Sequence, residues 1–111
     1  MAIKPFDLKS LAFGSIGATY AAIGTEVEGP ITMFFIQNRT DAAMVFSYDG
    51  VADHLSLPAG GHISVDMVSN SIVTGNSEES VLNAQTIFYV KQEVGAATSG
   101  SVYVSGFYNK K

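Results

Sequence analysis

The sequence predicts an all-β fold: an antiparallel β-sandwich or jelly roll of about seven or eight strands, preceded by an N-terminal arm. Three observations predict it. Short runs rich in Val, Ile, Phe, Tyr and Thr recur along the chain, and Gly, Asn, Asp and Pro separate them at short intervals. None of the runs alternates with an amphipathic helical stretch, which excludes a parallel α/β arrangement.

Residues 1–17 read as the arm and residues 18–111 as the sandwich domain. In the arm, Pro5 interrupts long pairing, and Ile3, Phe6, Leu8, Leu11 and Phe13 are interleaved with Lys4, Asp7, Lys9 and Ser10. Burying one large apolar side chain is worth about 1.5–3 kcal/mol, so the arm is expected to dock on something. Its own sandwich and a neighbouring protein are both open to it.

The first strand of the domain falls at residues 19–23. After Gly29 and Pro30 comes 31–37, too short for a typical helix and apolar on both faces, hence a central strand. Residues 38–41 turn the chain into a strand at 43–48, which ends at Asp49 and Gly50, a pair suited to the positive φ of a tight hairpin. His54 to Leu57 alternates as a half-buried strand until Pro58, and Ala59, Gly60 and Gly61 make the next turn. Residues 62–68 then place Ile63, Val65 and Met67 on one face and His62, Ser64, Asp66 and Val68 on the other. The signal weakens over 69–84, where 75–80 is the longest candidate loop and 77–82 a weak helical turn. Strands at 87–91 and 101–108, joined by a loop at 95–100, complete the chain.

Length and composition bound the function. The 111 residues suit one domain, with 47% hydrophobic and only 14% charged residues against a usual charged share of about a quarter. With so few charges, part of the exterior must be neutral or apolar, which favours association. The net charge is −4, and Lys4, Lys9, Arg39, Lys91, Lys110 and Lys111 form no basic stripe, so nucleic acid is not an expected partner. No cysteine is present to make a disulfide, a thiolate nucleophile or a zinc ligand. The longest apolar run, around 33–36, is far below the roughly 20 residues a membrane helix needs, so no membrane partner is expected. Lys4 and Lys9 before 11–23 imitate a signal peptide, but Gly14, Ser15, Gly17, Thr19 and Tyr20 dilute the apolar segment, which reads as uncleaved.

The candidate chemistry reduces to structure. Asp49, Asp53 and His54, with His62 and Asp66 nearby, are the best metal or acid–base set, yet Asp49 belongs to a turn and hairpin alternation scatters the rest. A triad of Ser47 or Ser56 with His54 and Asp53 lacks a nucleophile elbow. Gly60 and Gly61 precede a strand rather than the helix a phosphate loop opens. Asn38, Arg39 and Thr40 match a glycosylation pattern but read most simply as a turn. No catalytic residue, metal or cofactor is expected. Among the twelve aromatics, exposed tyrosines would suit a sugar platform or a protein interface, although tryptophan is absent.

The segment 46–61, Phe-Ser-Tyr-Asp-Gly-Val-Ala-Asp-His-Leu-Ser-Leu-Pro-Ala-Gly-Gly, resembles one in small virion structural proteins of tailed bacteriophages. Gly17-Ala18-Thr19-Tyr20 upstream fits the same pattern. So do Ile87-Phe88-Tyr89-Val90-Lys91 and Gly100-Ser101-Val102-Tyr103-Val104 downstream, and the order of the pieces carries the specificity. Within that group, the length and the N-terminal segment are most similar to the capsid staple, or decoration, proteins of short-tailed phages. The resemblance implies a non-enzymatic β-sandwich or jelly-roll cement protein on the outer surface of the capsid, clamping neighbouring copies of the major capsid protein. A tail or neck component of the virion and a carbohydrate-binding module are the alternatives. Composition makes Ile3, Phe6, Leu8, Leu11 and Phe13 the candidate capsid-interface residues, with the sandwich pairing with a second copy of itself, a dimer in preference to a trimer.

Overall fold

Alternation along the chain becomes two antiparallel sheets. The computed structural model describes residues 2–66 and 85–110. Eight strands form among them: β1 (Ala2–Ala12), β2 (Ala21–Ile23), β3 (Ile31–Asn38), β4 (Met44–Ser47), β5 (Leu55–Leu57), β6 (His62–Asp66), β7 (Phe88–Gln92) and β8 (Ser101–Lys110). One sheet has the order β1-β8-β3-β6 and the other β2-β7-β4-β5. The pairing is nested, with β1 on β8, β2 on β7, β3 on β6 and β4 on β5, all antiparallel. The result is a β-sandwich.

Each expected strand appears, with shifted ends. The strand expected at 31–37 is central as predicted, lying between β8 and β6. The Asp49–Gly50 turn is in the right place, and Gly50 takes φ +78°, but β4 and β5 are joined by seven residues, 48–54, rather than by a tight pair. The expectations for residues 67–84, including Met67, the loop at 75–80 and the helical turn at 77–82, lie outside the described residues.

The arm is corrected to a strand. Residues 2–12 pair with β8 from Ala2 opposite Lys110 to Ala12 opposite Ser101, with a bulge between Phe6 and Lys9. Pro5 stays in the ladder opposite Phe107, because β1 is an edge strand and one side of its backbone needs no donor. The boundary expected after residue 17 therefore falls between β1 and β2 of one sandwich.

The core fills the space between the sheets. Phe34, Ile36, Val102 and Val104 from the first sheet meet Ile23, Met44, Phe46, Phe88 and Val90 from the second, all at most 1% exposed. Phe34 lies 5.2 Å from Phe88 and 5.6 Å, edge-on, from Tyr48, a geometry that ring quadrupoles favour.

One buried polar joint ties β3 to the β4–β5 hairpin. The Asn38 amide nitrogen donates to the carbonyls of Ala42, Leu57 and Pro58 at 2.9, 3.1 and 3.0 Å. Its oxygen accepts from the Thr40 amide at 3.1 Å and from the Thr40 hydroxyl at 2.6 Å. With Asn38 fully buried, the glycosylation pattern at 38–40 has no accessible acceptor.

Candidate protein interface

The β1 register decides what each of the five candidate side chains can do. Phe6 stands opposite Gly106, whose missing side chain leaves room for the ring, and Leu11 stands opposite the buried Val102. Both therefore point between the sheets and pack against the core. Ile3 stands opposite Asn109 on the outside, and the bulge carries Leu8 outward. Ile3 is 56% exposed, Leu8 64% and Phe13, just beyond the strand, 37%. The five divide, with Phe6 and Leu11 fastening the strand and Ile3, Leu8 and Phe13 open to a partner.

An edge strand is a template for a further strand unless it is blunted. Here Pro5 lacks an amide hydrogen and the bulge twists the middle of β1. Lys9 closes part of the remaining edge: its side chain packs on Gly24, and its ammonium lies 3.4 Å from the Thr25 hydroxyl. This edge is suited to contact through side chains, not through ladder extension.

A second feature lies on the outer face of the first sheet. Pairing sets Pro5, Phe107, Met33 and Asp66 in one row, Ser105, Phe35 and Ser64 in the next, and Ser10, Tyr103, Gln37 and His62 in a third. Met33, Phe35, Tyr103 and Phe107 are half-buried there and stand outside the hydrophobic core. The sequence reading missed this face. A strand apolar on both sides reads as covered on both sides, so the signal was present but assigned to the interior.

The polar residues weighed for chemistry are engaged in holding loops. The Asp49 carboxylate accepts from the Ser47 hydroxyl at 2.9 Å and from the Val51 and Ala52 amides at 2.8 and 3.0 Å. These bonds, the two amides foremost, push its carboxyl down to about 2. The His54 ring stacks on Tyr48 at 4.7 Å, and its Nδ1 accepts the Tyr48 amide at 3.0 Å. Asp53 accepts the Tyr20 hydroxyl and lies 3.2 Å from the Lys91 ammonium, which sits 4.7 Å over the Tyr20 ring. Ser47 donates to Asp49 and also lies 3.5 Å from His54 Nδ1, whereas Asp53 pairs with Tyr20 and Lys91, so Asp53 does not complete the Ser47–His54 pair. Among the described residues no group of three or more His, Asp or Glu side chains is placed to hold a metal ion. Tyr20, Tyr48, Tyr89 and Tyr103 are half-buried and Tyr108 is buried.

Three carboxyls, Asp41, Asp49 and Asp53, are held below their ordinary value. Thr98, through its hydroxyl and amide, lowers Asp41, the Val51 amide leads for Asp49, and the Tyr20 hydroxyl leads for Asp53. A depressed folded-state value means that the stability these groups supply is present above their ordinary 3.8 and is lost as pH falls through their lowered values, about 2 for Asp49. Thermal melts across pH are expected to drop mainly between about pH 4 and pH 2, and Asp49→Asn is expected to flatten that drop. An unchanged acid limb in the variant would remove Asp49 from this account.

No known protein family, curated protein or solved structure matches the chain.

Proposed function

We propose that the chain is a capsid decoration protein, a cement or staple that binds the outer surface of a phage head and clamps neighbouring major capsid proteins. The observation that carries this reading is the β1 edge, where Ile3 and Leu8 stand in solvent on a strand whose backbone is blunted against further pairing. Large exposed apolar groups on a chain with 14% charged residues suit a protein partner, and apolar anchors of this kind dominate interfaces. The resemblance at 46–61 points to the virion. The nested strand pairing supports a jelly-roll reading of the sandwich, an architecture used by viral capsid modules.

The physics of a clip fits the role. A protein that binds only the assembled shell stabilises it by its own binding free energy, against the outward pressure of packaged DNA. If each clip is a dimer, one contact holds while the other reopens, an advantage of roughly 10²- to 10⁴-fold. Single contacts need not be strong.

The structure sets how this is tested. Deleting residues 2–13 would strip β1 from β8 and expose the sheet, so loss of binding would report unfolding. Ile3→Lys with Leu8→Lys leaves Phe6 and Leu11 in place, and both positions are exposed. The double variant is expected to fold normally and to rebind undecorated heads about a hundredfold more weakly, roughly tenfold for each anchor. Undiminished rebinding would remove the β1 edge from the interface. Copy number addresses the alternative: on the order of hundreds per particle fits decoration, whereas about a dozen fits a neck or tail ring.

A further inference from the structure

We infer that the outer face of the β1-β8-β3-β6 sheet is where two copies of this chain pair, face to face about a two-fold axis. This goes beyond the capsid reading and does not rest on it, because it concerns the purified protein alone.

The face has the anatomy of an interface. Phe107, Met33 and Phe35 occupy its middle, with Tyr103 beside them and Pro5 on the β1 flank. Asp66 and His62 lie on β6 at the rim, and the Arg39 guanidinium lies 5.8 Å over the Tyr103 ring at one end of the face, so the middle, Phe107, Met33 and Phe35, carries no charge. The opposite sheet differs: its outer side carries Lys91, and Glu93 and Asp53 lie beside it.

The rows are also self-complementary, which identifies a second copy as the occupant. A two-fold axis along the central row Ser105, Phe35, Ser64 sets Phe35 against its own counterpart and exchanges the two outer rows. Phe107 then meets Tyr103 of the other copy, Met33 meets Gln37, and Asp66 meets His62. Ring faces ring at Phe35 and at Phe107, whose counterpart Tyr103 also carries the Arg39 guanidinium 5.8 Å over its ring. Sheets pack in this aligned manner about 10 Å apart, side chains interdigitating.

The area suffices. Four strands about 4.8 Å apart, crossed with the eight residues of β3 at about 3.3 Å each, give roughly 500 Å² in plan. Side chains standing off that plane bring each copy near the ~600 Å² at the lower end of stable interfaces.

The test is the mass in solution of the native protein and of Phe35→Lys, by sedimentation or light scattering at about 10 μM, above a micromolar dissociation constant and well below the roughly hundredfold weaker one expected of the variant. The native protein is expected at twice the chain's 11.7 kDa. Each lost anchor counts twice in a symmetric interface, so Phe35→Lys is expected to weaken association about a hundredfold or more and to run as a monomer with an unchanged circular dichroism spectrum. If Phe35→Lys fails to fold, Met33→Thr with Phe107→Thr, which keeps strand propensity at Phe107, is measured instead with the same expectation. Ala22→Lys, on the other sheet, should remain dimeric. A monomeric native protein, or a folded face variant that stays dimeric, overturns the inference. A dimer that ignores phage heads would sink the capsid reading and leave this one standing, and a monomer that binds them would do the reverse.

Discussion

Asn38→Ala is expected to lower stability by about 3 kcal/mol, a fall in melting temperature of roughly 15 °C for a domain of this size. The size of the effect comes from what the substitution leaves behind. The Leu57 carbonyl and the Thr40 amide lose their Asn38 partner, whereas the Pro58 carbonyl keeps the Gly61 amide at 2.9 Å and the Thr40 hydroxyl keeps the Ala42 carbonyl at 2.9 Å. A buried polar group without a partner costs about 1–3 kcal/mol, and water enters only part of the vacated space. Asn38→Asp offers a sharper comparison, since it keeps the acceptor for Thr40 but presents none of the donors and buries a charge. It is expected to be at least as damaging as alanine. A denaturant midpoint for Asn38→Ala within about 0.5 kcal/mol of the native protein would mean that the joint between β3 and the β4–β5 hairpin is not structural.

This joint was illegible in the sequence for a physical reason. Asn38 lies between an apolar strand and Arg39-Thr40-Asp41, and locally that composition is a turn. Its donors are spent on carbonyls 19 and 20 residues away, which only the folded hairpin brings into range. By contrast, the alternation of Ile63 and Val65 with His62, Ser64 and Asp66 was legible, because a half-buried strand writes its two faces into a period of two. The N-terminal segment misled because Pro5 was read as a breaker, whereas an edge strand can place a proline where no amide is needed. Of the five residues singled out there, composition alone could not separate Phe6 and Leu11 from Ile3 and Leu8. Alternation separates Ile3 from Phe6, and the bulge between Phe6 and Lys9 then reverses the parity, turning Leu8 outward and Leu11 inward; a single chain gives no local mark of the bulge.

The second large effect contrasts two neighbours in β3. Phe34→Ala is expected to cost about 4 kcal/mol and Phe35→Ala less than about 1 kcal/mol of the stability of the single chain. Both are phenylalanines in the same central strand, so strand propensity and position along the chain cancel between them. The side of the sheet remains. Phe34 is 1% exposed, opposite Gly106 and Val65, with its ring against Phe88 and Tyr48. Its removal opens a cavity between the sheets that the flanking β-bonded backbone cannot collapse to fill. Phe35 stands between Ser105 and Ser64 on the outer face, where truncation leaves no cavity in the core. If two copies close over that face, the melting temperature of the native protein should rise with concentration, as binding to the folded form requires. Phe35→Ala should abolish that dependence while shifting the dilute limit little. Equal losses for the two alanine variants at low concentration would show that Phe35 is as much a part of the core as Phe34, and the outer face would then have no surplus apolar surface to offer a partner.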